Sequence, residues 1–171
     1  MYLEILILRH LRARPVHGYE LKRNVADTTA FALHNNSLYP ALRRFEEAGA
    51  VTKTAEQQDG KPPRHVYTLT DVGRELLHDM LAELPPELAG SEEEFLTRLG
   101  MFDDLAPEER RVVLAARDTA LHRRLDHLRG LADRAAPGGA NRDWGTVVTT
   151  ALIERVEHER AWLAELTACA G

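Results

Sequence analysis

The chain is poor in the residues that most enzyme and membrane classes need. It has one cysteine, Cys169, so neither an internal disulfide framework nor a thiolate metal cage can form within one chain. No uninterrupted apolar run reaches membrane-spanning length; the most apolar stretch, Tyr2 to Leu11, is short and broken by charge. No leader with a basic start and a cleavage site is visible. Gly-rich phosphate loops, nucleophile elbows and paired catalytic carboxylates are also missing, so no catalytic or cofactor-binding residue is assigned and no enzyme is expected. By elimination a cytoplasmic protein without cofactor or membrane partner is expected. The 171 residues suit one or two small domains, and the 44% hydrophobic content is ordinary for a globular chain.

What is present is concentrated in residues 35–48. Leu38, Leu42 and Phe45 fall at i, i+4 and i+7 and share one helical face. At 100° per residue the opposite face carries Asn36, Pro40, Arg43 and Glu47, flanked by Tyr39 and Arg44. Asn35 or Asn36 suits the N-cap, which places Pro40 in the first turn, where its missing N–H removes no intrahelical bond. Gly49 suits the left-handed residue that ends a helix. Two β-branched, alternating runs follow, Val51–Glu56 and Arg64–Leu69. Between them Asp59-Gly60 forms a turn and Pro62-Pro63 stiffens the return, so a hairpin is expected with Lys61 and Arg64 on it.

Two helical segments precede this unit: Tyr2–Leu11, nearly apolar all round, and Tyr19–Asp27, separated by a break at Arg14-Pro15-Val16-His17-Gly18. After the hairpin, Thr70 can cap a helix through Leu76, Leu77, Met80 and Leu81. Three helices, two strands and a helix within 83 residues is the order of a winged helix-turn-helix, whose third helix enters the major groove. The fold expected is therefore mainly α with a small β-hairpin.

These pieces resemble a PadR-family transcriptional regulator. The matching residues are Ile7-Leu8, His17-Gly18-Tyr19-Glu20-Leu21, Ser37-Leu38-Tyr39-Pro40-Ala41-Leu42-Arg43-Arg44, Glu46-Glu47-Ala48-Gly49, Pro62-Pro63-Arg64, Tyr67-Thr68-Leu69-Thr70 and Gly73. The second half is similar to the longer subfamily, with a helical C-terminal domain. The resemblance implies a homodimeric, ligand-responsive repressor of double-stranded promoter DNA, with a small aromatic or drug-like effector. Trp144 and Trp162 would either stack on that effector or anchor a dimer core, the second being favoured.

Roles follow. Arg43 suits a guanine and Asn36 an adenine; Ser37 and Tyr39 suit phosphates, Pro40 the groove edge, and Lys61 and Arg64 the backbone beside the wing. Arg44 and Glu47 are expected to pair with neighbouring charges. His17 and Tyr19 can reach a phosphate through a helix N-terminus, although packing is favoured for them, and Phe31 is assigned to the core.

The net charge of −5 is the wrong sign for a DNA binder. Residues 1–83 hold 11 Lys+Arg and 11 Asp+Glu, leaving 11 and 16 for residues 84–171, so the whole excess falls in the second half. Arg43, Arg44, Lys53, Lys61 and Arg64, with His34 and His65 nearby, can still cluster on one face. That second half, 84–171, opens at Glu83-Leu84-Pro85-Pro86-Glu87 and reads as a dimerisation and effector domain. Ser91 to Glu94 is a capping box and Pro107 starts a long helix with Leu114, Leu121 and Leu128 in register and Leu125 beside them. Past a turn at Pro137-Gly138-Gly139, Trp144, Val148, Leu152 and Val156 form another stripe, continuing to Leu163 and Leu166. Narrow stripes on long helices point to pairing across a dimer. Glu154 and His158 stand at i, i+4 with no third ligand, so no metal is assigned. A winged-helix protein–protein interaction module without DNA binding is the alternative.

Overall fold

The computed structural model describes residues 1–28, 35–58, 61–134 and 143–170, and of residues 35–36, 58 and 61–63 the backbone alone. The expected turns at 59–60 and 137–139 and the core role of Phe31 lie outside the described residues. The chain divides into two compact units, Met1–Leu81 and Ala82–Gly171.

The first unit runs α1 (Tyr2–Ala13), β1 (Val16–His17), α2 (Gly18–Thr28), α3 (Asn35–Glu47), β2 (Val51–Gln58), β3 (Lys61–Leu69) and α4 (Asp71–Ala82). The hairpin is a three-stranded antiparallel sheet in the order β1-β3-β2. The extra strand is the segment that reads in sequence as a break: Val16 pairs with Tyr67 and His17 with Val66. Across the hairpin Val51 faces Leu69 and Glu56 faces Arg64, with an irregularity between Glu56 and Gln58. Strand β3 reaches back through Pro62 and Pro63, which in sequence read as turn.

Helix α1 buries Ile5, Ile7, Leu8 and Leu11, and α3 buries Leu38, Leu42 and Phe45. Each such side chain contributes roughly 1.5–3 kcal/mol when fully removed from water. Gly49 ends α3 at φ 72°, and the Ala50 N–H bonds the Phe45 carbonyl at 2.8 Å, closing the helix in a Schellman turn. Thr70 caps α4: its hydroxyl accepts from the Gly73 N–H at 3.1 Å and donates to the Gly49 carbonyl at 2.7 Å. Gly73 lets α4 approach β2, since a Cβ there would stand 2.1 Å from the Ala50 carbonyl oxygen. One expectation is corrected. Helix α3 starts at Asn35, so Pro40 lies beyond the first turn. The i→i−4 bond it would make is absent there, and its exposed ring is accommodated on the solvent side.

The second unit holds α5 (Glu92–Leu99), α6 (Pro107–Arg134) and α7 (Trp144–Cys169). The Ser91 hydroxyl accepts from the Glu94 N–H, as the capping pattern requires. Helices α6 and α7 pack through Val113, Leu114, Leu121, Leu125, Leu128, Val156 and Leu163, joined by Phe95, Leu84 and Ala89. The first turns of α7 differ: Trp144 is 70% exposed, and Val147 and Val148 are exposed beside it. Among the described residues no helix is long and apolar enough to cross a membrane.

Candidate nucleic-acid interface

The amphipathic spacing of α3 decides which side chains face outward. With Leu38, Leu42 and Phe45 buried, Ser37, Tyr39, Pro40, Arg43, Arg44 and Glu47 are left on the surface. Asn36 lies in the first turn of α3 and Lys61 at the start of β3, and both side chains lie outside what is described. The polar edge is therefore directed away from its own unit. Arg43 is held by its neighbour one turn on, its Nε donating to Glu47 Oε1 at 2.9 Å. Arg44 donates to Glu4 Oε1 on α1 at 2.5 Å. Both pairs are exposed, so each is worth about 0–1 kcal/mol and is readily exchanged for a phosphate.

A second group assembles where β1, α2, α3 and β3 meet. His17, Gly18, Tyr19, Tyr39, Arg64, His65 and Tyr67 line an open cleft of about 180 Å³. The rings of His17 and Tyr19 stack at 5.9 Å with an 18° interplanar angle. The Arg64 guanidinium lies 5.6 Å from the Tyr19 ring centroid. Gly18 permits the close approach, because a Cβ there would meet Tyr67 at 3.3 Å and Tyr39 at 3.4 Å. His17 Nε2 is 3.7 Å from Glu56 Oε2, while its Nδ1 is buried and makes no hydrogen bond among the described residues. Burial, followed by the neighbouring Tyr39 and Glu46, pushes the Tyr67 phenol above its usual range, so it keeps its proton near neutrality.

The expected residues thus fall into two patches: Ser37, Pro40 and Arg43 on the α3 edge, and Arg64 in the cleft, with Tyr39 belonging to both. Sequence reasoning missed the cleft. It favoured packing for Tyr19, yet that ring is 58% exposed and in contact with Arg64. The signal lay in the pairing of Val16-His17 with β3, which two residues are too few to announce. In the second unit Glu154 and His158 occur on α7 as spacing requires; among the described residues no group of three or more His, Cys, Asp or Glu could hold a metal.

Comparison with known proteins places these features. The family model described as "Transcriptional regulator PadR-like family" matches residues 7–79, from α1 into α4. The Negative transcriptional regulator PadR of Bacillus subtilis (strain 168) is 24% identical over 174 residues, covering 97% of this chain and 96% of its own. Crystal structures of Bacillus subtilis PadR are matched in complex with operator DNA, at 24% identity over 100% of both chains (TM-score 0.47), and with p-coumaric acid, at 23% over 99% of both (TM-score 0.42). A PadR family transcriptional regulator from Eggerthella lenta DSM 2243 is 35% identical, covering 47% of this chain and 69% of that one (TM-score 0.43). These relatives are regulators, not enzymes. With the family pattern running through the α3 edge and both long strands, the chain belongs to the PadR-like family of transcriptional regulators.

Proposed function

We propose that the chain is a ligand-responsive repressor that binds a palindromic operator as a homodimer, in the cytoplasm where that DNA lies. Residues 1–83 form the DNA-binding domain and 84–171 the dimerisation and effector domain. The observation that carries the reading is the α3 edge: its apolar seam is buried and Ser37, Tyr39, Pro40 and Arg43 are left exposed. In this reading Arg43 forks onto a guanine and Asn36 pairs with an adenine. Ser37 and Tyr39 hold phosphates and fix the register, Pro40 sits at the groove edge, and Lys61 and Arg64 follow the backbone beside the wing. Tyr19 joins Arg64 as a further phosphate contact. The name of the Bacillus relative supports negative regulation, and its complexes support operator and aromatic-acid binding.

Dimerisation is supported by the exposed start of α7. Trp144, Val147 and Val148 form an apolar face on a helix whose later turns are packed. A twofold dimer presents two reading helices about one duplex turn apart, roughly 34–36 Å, which matches a palindrome. Val148→Glu in the full chain should shift sedimentation from dimer to monomer.

The second reading, a protein-interaction module, draws on the acidic partners of Arg43 and Arg44 and on the neutral charge of residues 1–83. A salt titration on the DNA flanking its own coding region separates the two, because DNA binding weakens steeply as salt rises. Arg43→Ala should weaken operator binding about tenfold, and Lys61→Ala should lower the salt slope by about one. Parent-like binding by both variants at matched salt would sink the assignment.

A further inference from the structure

We infer that Glu47 is a positioning residue for base reading: it holds the Arg43 guanidinium by its inner nitrogen, so that the two terminal nitrogens are presented outward together. This rests on the DNA-binding reading above and adds what makes Arg43 selective rather than merely attracted to a duplex.

The two arginines of α3 are held through different atoms. Arg43 donates through Nε to Glu47 Oε1 at 2.9 Å. Among the described residues its Nη1 and Nη2 make no further bond, and the side chain is 80% exposed. Arg44 donates instead through Nη2, to Glu4 on α1, 40 residues away along the chain. The distinction matters because a guanidinium is planar and its donors are fixed in direction. An acid on Nε leaves the Nη1–Nη2 edge free to fork onto guanine O6 and N7. An acid on Nη2 occupies one prong of that fork. Arg44 is thereby a tie between α1 and α3, and Arg43 is the reader.

Glu47 does not stand where helix stability would put it. It is the last residue of α3, at the negative end of the helix dipole, which disfavours a carboxylate. An Arg followed by a Glu at i, i+4 is also the weaker order for an ion pair on a helix. Both side chains are mostly exposed, so the pair adds little to folding. Stability therefore does not account for Glu47, whereas the free Nη1–Nη2 edge gives it a task.

The bond also separates the right DNA from the wrong. On guanine, Arg43 keeps Glu47 while its terminal nitrogens bond the base, and no charge is left unpaired. On other sequences the fork finds no matching base edge. Arg43 then turns to a phosphate and gives up Glu47, whose carboxylate is left unpaired beside the backbone. That cost falls on the wrong sequence alone. An exposed pair of this kind carries up to about a fivefold difference.

Fluorescence anisotropy of the full chain tests this on two duplexes at matched salt: the promoter DNA flanking its own coding region, and a scrambled duplex of the same composition. The quantity read is the ratio of the two dissociation constants. Glu47→Ala should lower that ratio about three- to fivefold without lowering the melting temperature. Glu47→Gln, which keeps an acceptor for Nε, should restore most of the loss. In an Arg43→Ala background, Glu47→Ala should change the ratio no further. Equal losses in Glu47→Ala and Glu47→Gln would overturn the inference, because charge alone would then be acting. So would the same loss with and without Arg43, since Glu47 would then touch the DNA itself. A parent-like ratio in Glu47→Ala overturns the inference and leaves the DNA-binding reading standing. A parent that holds its promoter no better than the scrambled duplex takes down both.

Discussion

The two units solve the burial problem with different chemistry. Among the described residues the first unit buries no charged side chain; its interior is Ile, Leu, Val, Phe, Ala and one Tyr. The second, with the chain's acidic excess, buries Glu94, Arg98 and Arg117. Arg98 makes bonds to Glu94 Oε2 at 2.7 Å and to the Glu83 carbonyl at 3.0 Å; Arg117 holds Ala89 and Glu159. Taking ions from water costs several kcal/mol each, which good geometry offsets but seldom exceeds. The first unit is thus an apolar mount for an exposed edge. The second fixes loop carbonyls with directional bonds from buried guanidinium groups.

The largest test of that contrast is Glu94→Leu. Removing one partner from a buried ion pair should cost about 3–5 kcal/mol in urea unfolding, and adding Arg98→Met should restore most of it. A single variant as stable as the parent would erase the distinction. In the apolar unit the sharpest probe is steric. Gly73→Ala pushes a Cβ into the Ala50 carbonyl and should cost about 1–3 kcal/mol by overpacking, read from the same transition. Smaller again is Thr70→Ala, which removes a helix cap and its bond to Gly49; about 1 kcal/mol of stability should be lost.

The smallest effect is acid sensitivity of the second unit. Thr146, through its hydroxyl, and then the Gly145 and Thr146 N–H groups hold Asp143 below its usual range. Glu93 is held low by its own backbone N–H and then by Ser91. For groups depressed in the folded state, the stabilisation is present above the ordinary carboxylate range and is lost as pH falls below it, through the lowered folded-state value. Circular dichroism during acid titration should show helix loss at low pH. Asp143→Asn, which caps without titrating, should blunt that loss; an unchanged acid limb would remove Asp143 as a contributor.

Much of the fold was legible because period and burial coincide. Leu38, Leu42 and Phe45 on α3, and Leu114, Leu121, Leu125 and Leu128 on α6, are spaced as one face and all lie in cores. Gly49 and Ser91 ended and began helices where their chemistry says they should. Other features were not legible. Nothing in the local pattern marks Arg98 and Arg117 as buried, since a guanidinium is buried only when particular acids and carbonyls converge on it. The cleft around Tyr19 depends on β1, which exists through its pairing with Tyr67 and Val66.

The sequence by itself determined the order of elements and which edge of α3 is polar, because helical and strand periods and cap chemistry act over a few residues. Tertiary structure alone decided that Val16-His17 is a strand, that Tyr19 meets Arg64, and that two arginines lie inside the second unit. Those outcomes depend on partners far apart along the chain, whose approach no local pattern encodes.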